Sequence, residues 1–448
     1  MKVVVIGGGP GGIQATRTIK MHNPGIDVTV IRPEPYSVIY CALPYVIENL
    51  VDREKIRKND ELVTGVGATL IKDKATKVNF DSKTVYTEKS GTFSYDKLII
   101  ATGANPFIPP IPGNNLRNIA TVKTENDLEH ILKYLESGAK KAVIVGAGNI
   151  GIEMAVAMQE RGLETYLIEM QNRVLPNLLD KDFSKYPEED IREKGINLLL
   201  NTKVEALEGQ KYVEKVILST TDKTINLGEH DLVIFAVGVK ANVEIFKDTN
   251  LNIDNFGIVV DAHMRTNIED VYAVGDVASF ISFIDKKPIG GKLATNAVPM
   301  GKIAAYNILG RNYKYQGFIN GAITKTVKWR MGGTGFTEDV AKQRGFETIS
   351  AVGETTTRFP IIPGTKKVYV KLIADKKTKK IIGGQVVAGE GVPGRIDTIS
   401  LAIQNENTIY DLFNFSYCAQ PFQTFFPANN AITMAAEKLI NYFEKTNK

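Results

Sequence analysis

The sequence is poor in cysteine and histidine. It contains two cysteines, Cys41 and Cys418, far apart in the chain, and four histidines, none of which stand at metal-ligand spacing. Two distant cysteines exclude a disulfide scaffold and a Cys-x-x-Cys metal site, so we expect no metal centre. No histidine follows His263, which excludes a histidine base from the C-terminal part of the chain.

The net charge is small, and the sequence has no long apolar run. The 448 residues include 55 Lys and Arg against 50 Asp and Glu, a formal net charge of +5. This near-balance leaves no extended basic surface for nucleic acid. No run reaches the ~20 apolar residues of a membrane span, and the N-terminus lacks the regions of a secretory signal. We therefore expect a cytoplasmic protein of several domains, with neither nucleic acid nor membrane as a partner.

A glycine-rich loop follows the first predicted strand. Lys2–Ile6 is a β-branched run typical of a strand buried in a parallel sheet, and a helical pattern and a second apolar run follow the loop. In such a unit the first glycine permits the tight turn, the second lets the backbone approach a pyrophosphate, and the third allows close packing of the helix on the sheet. The helix N-terminus donates N–H groups to the phosphates. The loop residues are Gly7, Gly9, Pro10, Gly11 and Gly12.

The same strand–loop–helix–strand order recurs at residues 141–169. One glycine loop is weak evidence, but two, each between a buried run and a helical pattern, predict two Rossmann-like dinucleotide-binding domains in an α/β protein. The second loop consists of Gly146, Gly148, Asn149, Ile150 and Gly151.

The residue that ends the second strand differs between the two units. Glu169 can accept both ribose hydroxyls and repels a 2′-phosphate, so it predicts NADH rather than NADPH, with Arg173 as the nearby counter-signal. In the first unit Arg32 stands in this place and the next acid is Glu34. Either Arg32 holds a phosphate or Glu34 reaches a ribose after a local shift, and the sequence leaves both open.

Four further segments complete a family pattern, at residues 39–45, 95–103, 271–278 and 293–297. With the two loops they make the sequence resemble the single-cysteine branch of the FAD-dependent pyridine nucleotide-disulfide oxidoreductases, which includes NADH oxidases, NADH peroxidase and coenzyme A-disulfide reductases. Residues 106–113 are proline-rich, too rigid to join a sheet, and predict a crossover between domains. The resemblance implies an FAD domain in two parts (1–113 and 244–320), an NAD domain (114–243) and a C-terminal α+β dimerisation domain (321–448).

The resemblance implies a tightly bound FAD, with NADH as the electron donor. The first loop would cradle the FAD pyrophosphate, Asp276 would hydrogen-bond the ribitol, and a helix starting near Ala294 would point its positive end at the flavin ring, where reduced flavin is anionic. Glu153 would position the nicotinamide for hydride transfer. The other implied contacts are Ala101, Thr102, Gly103, Gly275, Thr295 and Ala297 for FAD, and Gly238 at the turn that closes the NAD domain.

Cys41 is the predicted reactive sulfur. Pro44 in a first helical turn puts Cys41 at a helix N-terminus, where a thiolate is favoured. Such a thiolate attacks a disulfide, or takes electrons from flavin and cycles through sulfenic acid. No second cysteine follows nearby, so an internal redox disulfide is excluded. The redox partner of Cys41 is therefore external or comes from another subunit. The resemblance implies a small-molecule disulfide, a polysulfide or oxygen as the acceptor, with coenzyme A as a substrate or a cysteine adduct.

Several positions depart from the branch. Pro10 stands where the peroxidase and the water-forming oxidases have histidine, which argues against efficient peroxidase chemistry. Tyr40 replaces the usual asparagine of coenzyme A-disulfide reductases, and Ile361 or Ile362 and Ala419 stand in place of their partner-subunit tyrosines. We hypothesise that Tyr40 protonates the leaving thiolate instead.

The resemblance also implies a homodimer in which a C-terminal segment reaches the partner's flavin site, and Cys418 is a candidate resolving thiol for Cys41. Two other functions stay open: an electron-transfer reductase for an iron–sulfur or rubredoxin-type partner, and a redox-sensing flavoprotein without turnover. The C-terminal segment consists of Cys418, Ala419, Gln420, Pro421 and Phe422.

Overall fold

The computed structural model describes residues 1–219 and 224–446, which fall into two compact units. The first unit comprises Met1–Phe107, Lys123–Glu125 and Gly238–Phe318. The second comprises the described part of Ile108–Val122, Asn126–Val237 and Ile319–Lys448. Among the described residues, no helix is both long enough and apolar enough to cross a membrane.

Both units contain helices and strands. The α-helices are α1 (Pro10–His22), α2 (Leu43–Ile47), α3 (Arg53–Ile56), α4 (Glu61–Thr64), α5 (Glu125–Glu136), α6 (Asn149–Glu160), α7 (Lys181–Glu193), α8 (Ala294–Ile308), α9 (Glu338–Gln343), α10 (Val392–Gln404), α11 (Ile409–Asn414) and α12 (Ala431–Thr446). The strands are β1 (Lys2–Ile6), β2 (Asp27–Arg32), β3 (Ser37–Val38), β4 (Arg57–Lys58), β5 (Thr69–Lys72), β6 (Ala75–Asn79), β7 (Thr84–Thr87), β8 (Thr92–Ser94), β9 (Lys97–Ile100), β10 (Ala104–Pro106), β11 (Ile119–Ala120), β12 (Lys141–Val145), β13 (Glu164–Ile168), β14 (Asn197–Leu199), β15 (Val204–Glu208), β16 (Lys215–Leu218), β17 (Thr224–Asn226), β18 (Leu232–Phe235), β19 (Val239–Ala241), β20 (Ile253–Asp254), β21 (Gly257–Val259), β22 (Val271–Ala273), β23 (Ala278–Ile281), β24 (Pro288–Ile289), β25 (Ala322–Lys325), β26 (Arg330–Gly335), β27 (Thr348–Thr356), β28 (Lys367–Asp375) and β29 (Ile381–Ala388).

The first unit is built on a parallel sheet of order β22-β9-β1-β2-β5. Its central strand β1 has four consecutive buried apolar residues after Lys2, because helices or loops cover both faces. Helix α1 crosses α8 so closely that a Cβ on Gly301 would lie 2.3 Å from the Gly11 carbonyl oxygen. Small sheets of order β6-β7-β8, β20-β21-β23-β24, β3-β4 and β10-β19 complete the unit.

The second unit contains a parallel sheet of order β11-β18-β12-β13-β14 with α6 packed on it, and a small antiparallel sheet β15-β16-β17. Its C-terminal part is an antiparallel sheet of order β25-β26-β29-β28-β27, against which α10 and α12 pack. Two Rossmann-like sheets and an α+β C-terminal part confirm the predicted fold class. The predicted bounds of the four domains stay a prediction.

The expectation that the proline-rich stretch joins no sheet is wrong at its first residue. Pro106 ends β10 and lies opposite Val239 of the antiparallel strand β19. A two-stranded ladder leaves one edge of each strand unpaired, so a proline that lacks its N–H is tolerated there. The next residue, Phe107, donates its N–H to the Gly238 carbonyl at 3.0 Å.

Candidate active site

The middle and last glycines of the two loops have similar surroundings. In the first, a Cβ on Gly12 would lie 2.2 Å from the Gly7 carbonyl oxygen, whereas a Cβ on Gly9 would meet no atom within 4 Å. In the second, a Cβ on Gly151 would lie 1.8 Å from the Gly146 carbonyl oxygen, and one on Gly148 would again meet nothing. The last glycine of each loop therefore permits close packing, and the middle glycine faces an open cradle.

Each cradle lies at a helix N-terminus. Gly9 is the N-cap of α1, which begins at Pro10, and Gly148 is the N-cap of α6, which begins at Asn149, followed by Ile150. A glycine cap has no side chain to accept from the first N–H groups, so these groups are available to an anion. The open space and the free donors fit the pyrophosphate of a dinucleotide in both loops.

The first loop meets the predicted flavin-side residues within the first unit. A Cβ on Gly11 would lie 3.3 Å from the Ala297 carbonyl oxygen, and one on Gly275 would lie 3.3 Å from the Ala297 Cβ. Helix α8 begins at Ala294 as predicted, and both Ala294 and Thr295 are exposed.

The strand-end crossover after β9 is held next to the same loop. A Cβ on Gly7 would lie 2.0 Å from the carbonyl oxygen of Ala101, and the Thr102 hydroxyl donates to the Asn242 carbonyl at 2.8 Å. Gly103 has φ +73°, a left-handed conformation that favours glycine. The backbone thus turns sharply here, at the carboxyl end of the sheet.

The Arg32 side chain is buried and bonded to other groups of the protein. The residue is 1% exposed, and its guanidinium donates to the carbonyls of Glu34 at 3.1 Å and Pro35 at 3.2 Å and pairs with Asp60. Burial opposes the ionisation of Asp60, but the bonds from Lys72 and Arg32 outweigh it and hold its pKa below the usual value. The Glu34 side chain is exposed, whereas the Arg32 guanidinium is occupied by these protein partners.

Cys41 is exposed on a short 3-10 turn, Tyr40–Ala42, directly before the five-residue helix α2. Tyr40 beside it is half-buried, and burial, followed by the negative charge of Glu34, raises its pKa to about 12. The phenol therefore keeps its proton at neutral pH and is a hydrogen-bond donor one residue before the cysteine in the chain.

A charged cluster near Tyr40 was not predicted from the sequence. The Lys123 ammonium lies 3.3 Å from an Asp276 carboxylate oxygen and 6.0 Å from the centroid of the Tyr40 ring. Two residues on, Glu125 is clamped by Arg53 at 2.9 Å and by Arg57. Lys123 lies in a linker without helical or strand periodicity, so no local sequence pattern predicted its position near Asp276 and Tyr40.

Asp276 has a second cation in its neighbourhood. The Lys292 ammonium donates to the Phe256 carbonyl at 2.7 Å. Burial lowers the pKa of Lys292, while the negative charges of Asp276 and Asp254 oppose that shift. The predicted ribitol ligand is therefore a carboxylate flanked by two lysines.

The predicted coenzyme residues of the second unit are hydrogen-bonded within the protein. The buried Glu169 accepts from the N–H groups of Ala147 at 2.8 Å and Gln171 at 2.9 Å, one on each carboxylate oxygen. A carboxylate has about four acceptor positions, so Glu169 can still accept ribose hydroxyls. Glu153 on α6 accepts from the Thr324 hydroxyl at 2.9 Å.

Gly238, the predicted closing turn of the NAD domain, has φ +102°, and a Cβ there would meet no atom within 4 Å. The structure groups it with the first unit rather than with the sheet that carries Glu169. Its conformation suits glycine, and the adjacent space is open.

The C-terminal segment is exposed along its length. Phe422 is 63% exposed, and Pro421 accepts from the Phe359 N–H at 3.0 Å. An apolar surface of this kind suits a subunit contact. The exposed residues of the segment are Cys418, Ala419, Gln420, Pro421 and Phe422.

One group of acids has a spacing that would suit a metal ion, formed by Asp180, Asp182 and Glu338. The Lys371 ammonium lies among them, at 3.0, 2.8 and 2.6 Å from their oxygens. The Lys371 ammonium group thus occupies the position between the three carboxylates that a metal ion would need.

The sequence matches the pyridine nucleotide-disulphide oxidoreductase family over residues 1–301 and that family's dimerisation domain over residues 322–425. It is 34% identical to an NADH oxidase of Methanocaldococcus jannaschii, covering 94% of this chain and 95% of that one. It is also 34% identical to a CoA-dependent NAD(P)H sulfur oxidoreductase of Pyrococcus furiosus, covering 92% and 93%. An NAD-dependent persulfide reductase from A. fulgidus superposes with a TM-score of 0.93 at 31% identity, covering 99% of this chain and 84% of that one. The chain belongs to the pyridine nucleotide-disulphide oxidoreductase family and is an FAD-dependent oxidoreductase.

Proposed function

We propose that this protein oxidises NADH and passes the electrons through Cys41 to a disulfide, a polysulfide or oxygen. The exposed, unpaired thiol of Cys41 carries this proposal, since it lies in the same unit as the first glycine cradle. The similarity to an NADH oxidase and to a CoA-dependent sulfur oxidoreductase supports both kinds of acceptor. Bound FAD would supply the two-electron relay between the nicotinamide and the thiol.

The chain's own residues would bind and orient the two dinucleotides. The cradles at Gly9 and Gly148 would take the pyrophosphates, and Glu34 and Glu169 the ribose hydroxyls. Glu153, fixed by Thr324, would orient the nicotinamide. We further propose a cytoplasmic homodimer with the four-part division predicted from the sequence, and coenzyme A as a substrate or cysteine adduct.

The disulfide step uses Cys41 and Tyr40. The Cys41 thiolate attacks one sulfur of the acceptor, which forms a mixed disulfide and breaks the acceptor's S–S bond. The Tyr40 phenol, whose raised pKa makes it too weak an acid to protonate a thiolate outright, would donate a hydrogen bond to the departing thiolate, which takes its proton from solvent. Two electrons from NADH, relayed by bound FAD, would then cleave the mixed disulfide, which restores the Cys41 thiolate and releases the second sulfur as a thiolate that takes a proton from solvent. The absence of a histidine at Pro10 favours this chemistry over peroxide reduction.

The test is an anaerobic NADH titration of the wild type and Cys41→Ser, followed by addition of coenzyme A disulfide, polysulfide or oxygen. We expect thiolate-to-flavin charge-transfer absorbance in the wild type and none in the variant, because serine carries no thiolate. The variant should still be reduced by NADH but lose disulfide and polysulfide turnover. Cys418→Ser should keep the charge-transfer absorbance, because it retains the Cys41 thiolate. Full turnover by Cys41→Ser with an iron–sulfur or rubredoxin-type acceptor would replace the proposal by an electron-transfer function, and no NADH consumption with any acceptor would favour a sensor.

A further inference from the structure

The loop between β13 and α7 connects the coenzyme site to the C-terminal sheet. It follows Glu169 directly, and its Gln171 N–H bonds the Glu169 carboxylate. Further on, the Leu175 N–H donates to the carbonyl of Ala147 in the second glycine loop at 2.9 Å. The loop is therefore attached both to the proposed ribose ligand and to the proposed pyrophosphate cradle.

Arg173 is the one basic residue between Met170 and Asp180. It is 6% exposed, and its guanidinium donates to the carbonyls of Leu179 at 3.0 Å and Pro176 at 3.1 Å. It also pairs with Asp339, in the first turn of α9, at 2.7 Å. In the part of the chain that the structure describes, Asp339 is the carboxylate that neutralises Arg173.

The same helix α9 also holds the end of the loop. The Glu338 N–H donates to the Asp180 carboxylate at 3.0 Å, and Gln385 both accepts from the Asp180 N–H at 2.9 Å and donates to its carboxylate at 2.7 Å. These bonds fix where α9 lies against the loop. The Asp339 carboxylate is thus kept beside Arg173 by several contacts rather than by one surface ion pair.

A buried guanidinium cannot lose its charge, so its counter-ion determines the potential around it. With Asp339 in place the Arg173–Asp339 pair is neutral, and the loop that follows the proposed ribose ligand Glu169 gains no net positive charge from Arg173. The Glu169 carboxylate then dominates the electrostatics at the ribose and repels a 2′-phosphate. Without Asp339, the unneutralised cation would attract that phosphate.

We propose that Asp339 is a specificity-determining residue, which favours NADH over NADPH because it neutralises Arg173. The inference rests on the proposed NADH preference and assigns part of it to a residue of the C-terminal region. Asp339 acts through Arg173 and needs no contact with the coenzyme.

The test compares kcat/KM for NADH and NADPH in the FAD-loaded wild type and Asp339→Asn. We expect the NADH-to-NADPH ratio to fall by about three- to tenfold in the variant, through a lower KM for NADPH, and the effect to shrink as salt is added. Arg173→Met in the Asp339→Asn background should restore the ratio, and Asp339→Glu should keep it. Asp182→Asn is the matched control, because Asp182 pairs with Lys371 but not with Arg173.

An unchanged ratio in Asp339→Asn, or a shift that survives Arg173→Met, would overturn the proposal. Asp339 is 59% exposed at its side chain, so we expect the variant to fold, and its FAD content and Cys41 alkylation should equal those of the wild type. A wild type that prefers NADPH would refute the proposed coenzyme. A ratio shift reversed by Arg173→Met would still support the electrostatic link in that case.

Discussion

At the scale of single residues, neighbours in sequence have different surroundings. Cys41 is exposed, whereas burial and Glu34 raise the pKa of Tyr40 to about 12. A group whose pKa is raised this far stays protonated through the neutral range and loses its proton only near pH 12. Tyr40 is therefore a donor and not a base under working conditions.

We predict that Tyr40→Phe lowers turnover with a disulfide acceptor by about tenfold or more, because the leaving thiolate loses the phenol that donates a hydrogen bond to it. Anaerobic reduction of the flavin by NADH should be unchanged, since that step does not use the phenol. Stopped-flow reduction and steady-state turnover separate the two. Tyr36→Phe, at an exposed tyrosine beside Arg57, is the control, and unchanged disulfide turnover in Tyr40→Phe would eliminate the proposed role.

At the scale of elements, each strand–loop–helix start uses its glycines for two different purposes. Gly12 lets α1 approach the carbonyl of Gly7, whereas Gly9 faces open space. The first purpose concerns the fold, and the second concerns a ligand. The sequence motif already predicts a separate role for each of the two glycines, and the structure gives the space around each of them.

We predict that Gly12→Ala destabilises the protein by about 1–3 kcal/mol, because its Cβ would overlap the Gly7 carbonyl. Gly9→Ala should change the free energy of unfolding of the FAD-free protein by no more than about 0.5 kcal/mol, because the new methyl group would contact no protein atom. It should lower the FAD content, because that methyl group would occupy space in the cradle. Denaturant unfolding and flavin absorbance measure the two effects. Gly148→Ala is the matched control, which should retain FAD and raise the KM for NADH. Equal FAD content in Gly9→Ala and wild type would contradict the cradle.

At the scale of the whole molecule, the sequence predicted those features that depend on neighbouring residues. These are the two strand–glycine–helix units and the start of α8 at Ala294, each of which is indicated by a pattern within a short segment of the chain. The sequence could not decide the role of Arg32, because its partner Asp60 comes from a later part of the chain. The Arg173–Asp339 pair and the pairing of Pro106 with Val239 depend likewise on distant partners. Contacts between residues far apart in the chain produce no local sequence pattern, so they could not be predicted from the sequence alone.

The proposed homodimer would bring cysteines of two chains together. Cys41 and Cys418 are both exposed, and Cys418 lies within the part of the chain that matches the family's dimerisation domain. We therefore propose that Cys41 meets Cys418 of the partner subunit. Joining the two thiols removes two electrons and two protons, which a mild oxidant such as diamide accepts.

We predict that diamide converts the wild type to a covalent dimer on a non-reducing gel and that dithiothreitol reverses it. Cys41→Ser and Cys418→Ser should each abolish the band, because a disulfide between unlike positions needs both thiols. A band that persists in Cys41→Ser would instead reveal a Cys418–Cys418 disulfide and contradict the cross-pairing. The absence of any covalent dimer in the oxidised wild type would leave Cys418 a packing residue, since a disulfide forms only where the Cα atoms come within about 7 Å.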